Sequence, residues 1–367
     1  MSKRSSRRQF LGTLGATLTA AACSKKPSTS SSGPSGGPQT GSKPPEGPLP
    51  GAPKEGEIKL PANASMPMRE LGKTGVKVSL LGLGGYHIGV PKDEQEGIRI
   101  IRTALDHGVT FLDNCWDYHD GDSERRMGKA LKDGYRDKAF LMTKIDARTK
   151  DAALLQLDQS LARLGTDVID LVQIHEVIRM EDAERVFGSK GSIEALQAAK
   201  AAGKIRFIGF TGHKDPAIHL HMLQTALDEG FHFDTVQMPL NVMDPHFSSF
   251  EQKVLPVLVE RGIGVLGMKP MGSGVILESK AVSARECLHY AMSLPTSVVI
   301  TGCDSVGVLE QALEAAFTSS TFGEKDRSSL LARTEPYGRE GKYEQFKTSS
   351  RFDGTAKNPK WLETATL

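Results

Sequence analysis

Cysteine is scarce in this chain: four in 367 residues, at Cys23, Cys115, Cys287 and Cys303, with no CxxC pair among them. A disulfide scaffold and a structural zinc site of ordinary ligand spacing are therefore not expected. Long apolar runs are missing too. None approaches the ~20 residues that a spanning helix needs, so an integral membrane protein built on such helices is excluded at this level. Charge of one sign is also absent. Lys+Arg number 46 against Asp+Glu 44, a formal net charge of +2, which leaves no electrostatic footprint for a nucleic acid partner. The length would accommodate two ordinary domains or one large barrel, and only the order of elements can choose between them.

What is present begins with an address. The chain opens MSKRSSRRQFLGTLGATLTAAAC: a basic stretch with Lys3, Arg4, Arg7 and Arg8, then a short, mildly apolar run ending in small residues. This is a signal-peptide layout, and Ser6-Arg7-Arg8-Gln9-Phe10-Leu11 has the pattern of a twin-arginine export signal. The expected partner is the twin-arginine export machinery. The destination lies across a bacterial inner membrane, periplasmic or membrane-tethered. Ala20-Ala21-Ala22-Cys23 leaves two processing outcomes open: cleavage after small residues, or lipidation of Cys23 as a lipid anchor, against which stands Ala20 in place of the usual Leu. Residues 24–65 carry nine of the 19 prolines and no aromatic residue. They read as a disordered Ser/Gly/Pro-rich spacer that cannot bury enough apolar surface to offset its ordering entropy.

From residue 66 to about 322 the pattern becomes a pulse. Eight apolar runs rich in Val, Ile and Leu recur: 78–83, 109–112, 139–142, 168–174, 205–210, 235–238, 263–268 and 297–300. Near-continuous apolar runs fit strands covered on both faces. Between them lie amphipathic stretches, such as 96–107 with Ile98, Ile101 and Leu105 on one helical stripe. Several end in a glycine suited to a helix C-terminus: Gly108, Gly165, Gly203, Gly230 and Gly262. Eight such units predict an α/β fold, a (β/α)8 TIM barrel. An open dinucleotide-binding sheet would call for a GxGxxG turn after the first strand, and Gly82-Leu83-Gly84-Gly85 lacks that spacing. A hairpin-like segment, 69–76, precedes the first strand and is expected to close the barrel's bottom. Residues 323–367 lack the pulse and read as a C-terminal tail packing on the barrel.

Chemistry in such a barrel sits at the C-terminal ends of the strands. There the chain places Asp113, Lys144 and His175 after the second, third and fourth runs, spaced 31 residues apart in each case. Tyr118 stands five residues beyond Asp113. A lysine ammonium beside a tyrosine hydroxyl favours the phenolate and is expected to lower the tyrosine pKa. Asp113 would hold Lys144 charged, and His175 would orient a substrate oxygen. The set suits protonation of a developing alkoxide, as when hydride adds to a carbonyl. It contains no strong nucleophile and no clustered carboxylates or histidines for a metal, so none is expected. The structural alternative is an ion pair between Asp113 and Lys144 with His175 as a satisfied core residue.

These residues also carry a resemblance. The stretches Arg69-Glu-Leu-Gly-Lys-Thr-Gly-Val-Lys-Val-Ser, Phe111-Leu-Asp-Asn-Cys-Trp-Asp-Tyr, Thr143-Lys-Ile, Asp170-Leu-Val-Gln-Ile-His, Ile208-Gly-Phe-Thr-Gly-His and Val236-Gln-Met-Pro-Leu-Asn follow one another in an order that resembles the aldo-keto reductases. The resemblance implies NAD(P)(H)-dependent interconversion of aldehydes or ketones and alcohols. It makes Asp113, Tyr118, Lys144 and His175 a catalytic tetrad with Tyr118 as proton donor. It also implies nicotinamide contacts from Thr211 and Gln237, packing by Met268 where relatives stack a tyrosine, and a pyrophosphate cradle with Lys269 and Ser273. Glu310 and Gln311 fall where relatives touch adenine.

The chain departs from the pattern at two places. Gly212 replaces the asparagine of a Ser-Asn pair, with His213 a candidate to compensate. The segment 301–311 has no Lys or Arg for a 2′-phosphate but does have Asp304, so both NADP(H) and NAD(H) stay open. Tyr86, His87, Trp116 and His119 are expected to line the substrate pocket, with Trp361 folding over it. A different-class reading keeps the barrel as a slow dinucleotide-binding sensor or partner subunit.

Overall fold

The computed structural model describes residues 51–367. The export signal, Cys23 and residues 24–50 of the spacer lie outside the described residues. Two short antiparallel strands, β1 (Met68–Glu70) and β2 (Lys77–Ser79), form the predicted hairpin. Eight parallel strands follow: β3 (Leu81–Gly84), β4 (Phe111–Asp113), β5 (Phe140–Ile145), β6 (Ile169–Ile174), β7 (Ile205–Thr211), β8 (Thr235–Pro239), β9 (Gly264–Met268) and β10 (Val298–Gly302). They close in sequence order, with β10 pairing back onto β3. The predicted run 78–83 therefore divides: its first residues belong to the hairpin and its last to the barrel.

The barrel is filled rather than hollow. Phe111, Phe140, Met142, Leu171, Leu266, Val298 and Ile300 point inward and form a cluster of their own, with Leu71 and Val78 from the hairpin added at its base. Lys73 N donates to the Gly262 carbonyl at 2.9 Å, and Leu71 is fully buried, so the hairpin plugs the N-terminal end of the strands. Arg69 secures it by donating to the carbonyls of Met292, Leu294 and Thr296. The glycines at helix ends behave as their positions demand: Gly165 (φ 63°) and Gly262 (φ 68°) take the left-handed conformation that ends a helix without a Cβ penalty.

Residues 51–65, read from composition as the end of a disordered spacer, lie on the barrel. Gly56 N donates to Glu310 at 2.7 Å, Glu55 pairs with Arg99 at 2.7 Å, and Leu60 packs against the core. Composition missed this because the helix Val306–Thr318 provides Gly307, whose missing side chain makes room for the Pro53 carbonyl.

The tail also has a defined course. After the helix Glu324–Gly338 it runs over the strand ends in reverse strand order. Tyr343 meets the loop after β9, and Glu344 accepts from Asn241 after β8. Asp353 pairs with His213 after β7, and Glu176, after β6, accepts from Gly354 N and Thr355 N. Leu362 accepts from Arg148 N after β5.

Candidate active site

β4, β5 and β6 are neighbours in the wall, and their ends bring the four expected residues together. Lys144 Nζ makes a very close ion pair with Asp113, donates to the Asn114 carbonyl at 2.7 Å, and lies 3.3 Å from the Tyr118 hydroxyl. The Tyr118 and His175 rings meet edge-on, centroids 5.9 Å apart. Asp113, Lys144 and His175 are buried and Tyr118 is half-buried, which puts their charges in a medium of low dielectric.

One expectation is overturned. Tyr118 is not held as an easily ionised phenol: its pKa is raised well above the usual value, first by burial and then by the charges of Asp113, Cys115, Asp117 and Glu176. The physical reason is that burial outweighs the pull of the ammonium 3.3 Å away: a phenolate there would lose its hydration and face the Asp113 carboxylate as well. Tyr118 rests as a protonated acid.

The expectation that no metal-ligating groups gather here is overturned as well. Behind His175 lie Cys115, Asp117 and Asp146. His175 Nδ1 stands 2.8 Å from Asp146 Oδ1, 3.2 Å from Cys115 Sγ and 3.7 Å from Asp117 Oδ1. Burial first, and the neighbouring carboxylate next, push Asp117 up to about 7; burial and then Glu176 push Asp146 up to about 8. Burial lowers the His175 pKa against the pull of Asp117 and Glu176. With Nδ1 turned to Asp146 and Cys115, Nε2 is the ring nitrogen left for a substrate oxygen. Sequence spacing hid this group because its members come from the ends of three different strands. The signal available was only Asp146, one residue past β5, and Asp117, next to Tyr118.

The cofactor-side residues line the rim from β7 to β10. Gln237 is buried, its Nε2 lies 3.5 Å from Asp113 Oδ2, and its Oε1 has no hydrogen-bond partner. An orphaned amide oxygen there fits a carboxamide donor such as that of nicotinamide. Thr211 Oγ1 and the Met268 sulfur are 3.9 Å apart beside it. Gly212 cannot be the asparagine of the usual pair, since a Cβ there would sit 2.2 Å from the Val177 carbonyl. His213 does not compensate: its Nε2 is engaged by Asp353 of the tail at 3.0 Å.

Lys269 takes a left-handed φ of 54° and Ser273 one of 59°, conformations that cost non-glycine residues about 1–3 kcal/mol and cluster at functional sites. The Lys269 ammonium lies over the rings of Phe352 (4.7 Å) and Phe346 (5.7 Å). Burial first, then repulsion from Lys144, depresses its pKa to about 8. Together these residues form a rim suited to a dinucleotide. At its far end Glu310 is already engaged by Gly56, so that carboxylate is not left waiting for adenine, while Gln311 lies beside it on the same helix.

The structure gathers three of the four residues expected at the pocket, Tyr86, His87 and His119. Tyr86 packs edge-on to Tyr118 at 5.5 Å, and the His119 ring, its Nε2 donating to the Tyr86 carbonyl, lies tilted against the Tyr86 ring at 4.7 Å. His87 fits against Gly302, where a Cβ would collide with its ring, and burial lowers its pKa to about 4. Trp116 does not line the pocket. It is fully buried, donates to Gln159 at 2.7 Å and is covered by Trp361, centroids 6.0 Å apart. A tryptophan two residues before Tyr118 reads as pocket from sequence, but the tail claims its face.

Comparisons with known proteins bear on the family and the fold. Residues 80–322 match the Aldo/keto reductase family. The chain is similar to aldo-keto reductase YhdN of Bacillus subtilis, 31% identical over 216 residues that make up 55% of this chain and 61% of that protein. It thus spans about three fifths of YhdN's length. It is also similar to L-galactose dehydrogenase of Arabidopsis thaliana, 30% identical over 318 residues, 73% of this chain and 94% of that one. Among solved structures, the holo form of an aldo-keto reductase from Bacillus halodurans superposes with a TM-score of 0.61 at 22% identity, covering 73% of this chain and 96% of the other. A putative aldo-keto reductase from Pseudomonas aeruginosa gives 0.58 at 24% identity, with 70% and 98% covered. At such identities the two structures speak for the fold alone.

Proposed function

The chain belongs to the aldo/keto reductase family, and on that premise we propose that it is an NAD(P)(H)-dependent oxidoreductase interconverting carbonyl compounds and alcohols. The observation that carries the reading is the meeting of Asp113, Lys144, Tyr118 and His175 at one mouth, with the orphaned Gln237 oxygen beside them. A bound nicotinamide supplies or accepts the hydride. Gln237 and Thr211 would hold its amide, Met268 would pack on its ring, and Lys269 and Ser273 would face its phosphates.

The chain's own residues manage the proton. Tyr118, protonated at rest, donates its hydroxyl proton to the oxygen of a carbonyl under reduction. Lys144 stabilises the phenolate left behind, and Asp113 keeps the ammonium charged and aimed. His175 orients the substrate oxygen through Nε2. In the oxidative direction the same phenolate takes the proton back. Tyr86 and His119 shape the pocket, and the relation to L-galactose dehydrogenase makes sugar alcohols and aldoses the first compounds to try. The twin-arginine pattern of the leader supports a reaction carried out beyond the inner membrane. A barrel exported already folded would carry its dinucleotide with it, and release of that dinucleotide within seconds on dilution would count against the idea.

A second reading, a slow dinucleotide-binding sensor, is favoured by Gly212 and by the engaged Glu310. Titrating the full chain with NADPH, NADP, NADH and NAD under fluorescence, then assaying a carbonyl and alcohol panel, separates the two. Binding with turnover supports the enzyme, binding without turnover the sensor, and folded empty protein that binds none removes both.

A further inference from the structure

We propose that Cys115, Asp117, Asp146 and His175 form a site for one divalent transition-metal cation of the zinc class, and that this cation sets which tautomer His175 presents to the mouth. One ligating atom from each residue lies within 4.8 Å of all the others. The separations from His175 Nδ1, at 2.8, 3.2 and 3.7 Å, bracket the spacing of a tetrahedral shell. Bonds of about 2.0–2.3 Å to zinc place neighbouring ligand atoms roughly 3.3–3.7 Å apart.

Two further observations point to a cation. Asp146 is fully buried, yet its Oδ2 has no hydrogen-bond partner, and Asp117 Oδ1 is likewise buried and unpartnered. Buried carboxylate oxygens are costly when left unpaired, and in native proteins such orphans are met by an ion, an ordered water or a functional group. The nearby cations are committed elsewhere: Lys144 to Asp113, and Arg148 to Asp182 and to the carbonyls of Asp146, His175 and Glu176. The donor set of one sulfur, one nitrogen and two oxygens is borderline-soft. It suits zinc, cobalt or a similar ion and not magnesium or calcium, which require oxygen shells. Entry is from the mouth, where the side chains of His175 and Asp117 keep 11% and 15% of their surface exposed.

The proton balance gives the site a consequence. Coordination takes the Nδ1 lone pair of His175, so the ring proton is held on Nε2, and the Cys115 thiol and any protonated carboxyl among the ligands lose their protons to solvent. Without the ion either ring nitrogen can carry the proton; with it, Nε2–H donates, the arrangement that grips a carbonyl oxygen.

The site is tested on the full chain, stripped with chelator and titrated with Co2+ alone. One equivalent is expected to produce the visible bands of four-coordinate cobalt with a thiolate charge-transfer band, both bleached by Zn2+. Cys115→Ser should remove the charge-transfer band, and Asp146→Asn should weaken uptake by about 100-fold. Folded wild-type protein that takes up no stoichiometric cobalt would overturn the proposal, as would uptake unchanged in both variants. In imidazole 15N spectra, a zinc-saturated His175 still protonated at Nδ1 would overturn the tautomer assignment. No step of this uses activity, so metal uptake by a protein that binds no dinucleotide would sink the oxidoreductase reading and leave the metal site standing.

Discussion

The two ends of this barrel are built on opposite terms. At the bottom, the hairpin buries Leu71 and Val78 against the inward phenylalanines, and Arg69 spends its guanidinium on three carbonyls. At the top, Lys144, Asp113, His175, Asp146 and Lys269 crowd together, with oxygens of Gln237, Asp117 and Asp146 left unpaired and Glu176 and Lys269 held at positive φ. Burial of apolar area stabilises one end. The other accepts strain and unsatisfied polar groups, as a site meant to be completed by something else does.

The sharpest way to break this contrast is Tyr118→Phe. It should lower turnover by at least about 100-fold while dinucleotide binding and melting temperature stay put; full activity in a reductase assay would remove Tyr118 from the chemistry. Leu71→Ala should do the reverse. It is expected to cost about 2–5 kcal/mol in chemical denaturation through a cavity in the plug, with dinucleotide affinity per folded molecule unchanged. An altered affinity would mean that the two ends are coupled.

Gln237→Leu removes the orphaned oxygen and should weaken dinucleotide binding about tenfold, or ~1.4 kcal/mol. Calorimetry showing equal affinity would assign that oxygen another role. The smallest effect is the pH response of Lys269. Its ammonium is present below about 8 and lost above, so affinity for an anionic dinucleotide should fall several-fold, roughly, between pH 7 and 9, and Lys269→Met should flatten the curve. The stability sign is opposite. With the unfolded lysine near 10.5, the unfolded chain binds more protons between about 8 and 10.5, and this group's contribution rises with pH across that window.

Much of the fold was legible because its signals are local. Apolar runs covered on both faces repeat eight times, with amphipathic stretches between them and a glycine closing five of those stretches, and each signal is fixed by neighbours within a few residues. The tetrad positions were legible for a related reason: a strand end is a place in that rhythm, and Asp113, Lys144 and His175 occupy three in succession. The division of 78–83 between hairpin and barrel was not, since an apolar run does not say which sheet it joins.

Other features depended on partners distant along the chain. Trp116 is buried because Trp361 reaches it, His213 is spent on Asp353, and the last spacer residues settle on Gly307. Composition cannot see any of these, because each needs a contact closed over a long loop. The same holds for acidity. The residue order names Tyr118 and Lys144 as neighbours, but whether the phenol is eased or resisted in ionising rests on how deeply it is buried and on which carboxylates face it. The pattern of residues thus settles which barrel forms and which side chains stand at its mouth. Their charge states, and the gathering of Cys115, Asp117 and Asp146 around His175, follow from three-dimensional distance and dielectric, which no local pattern encodes.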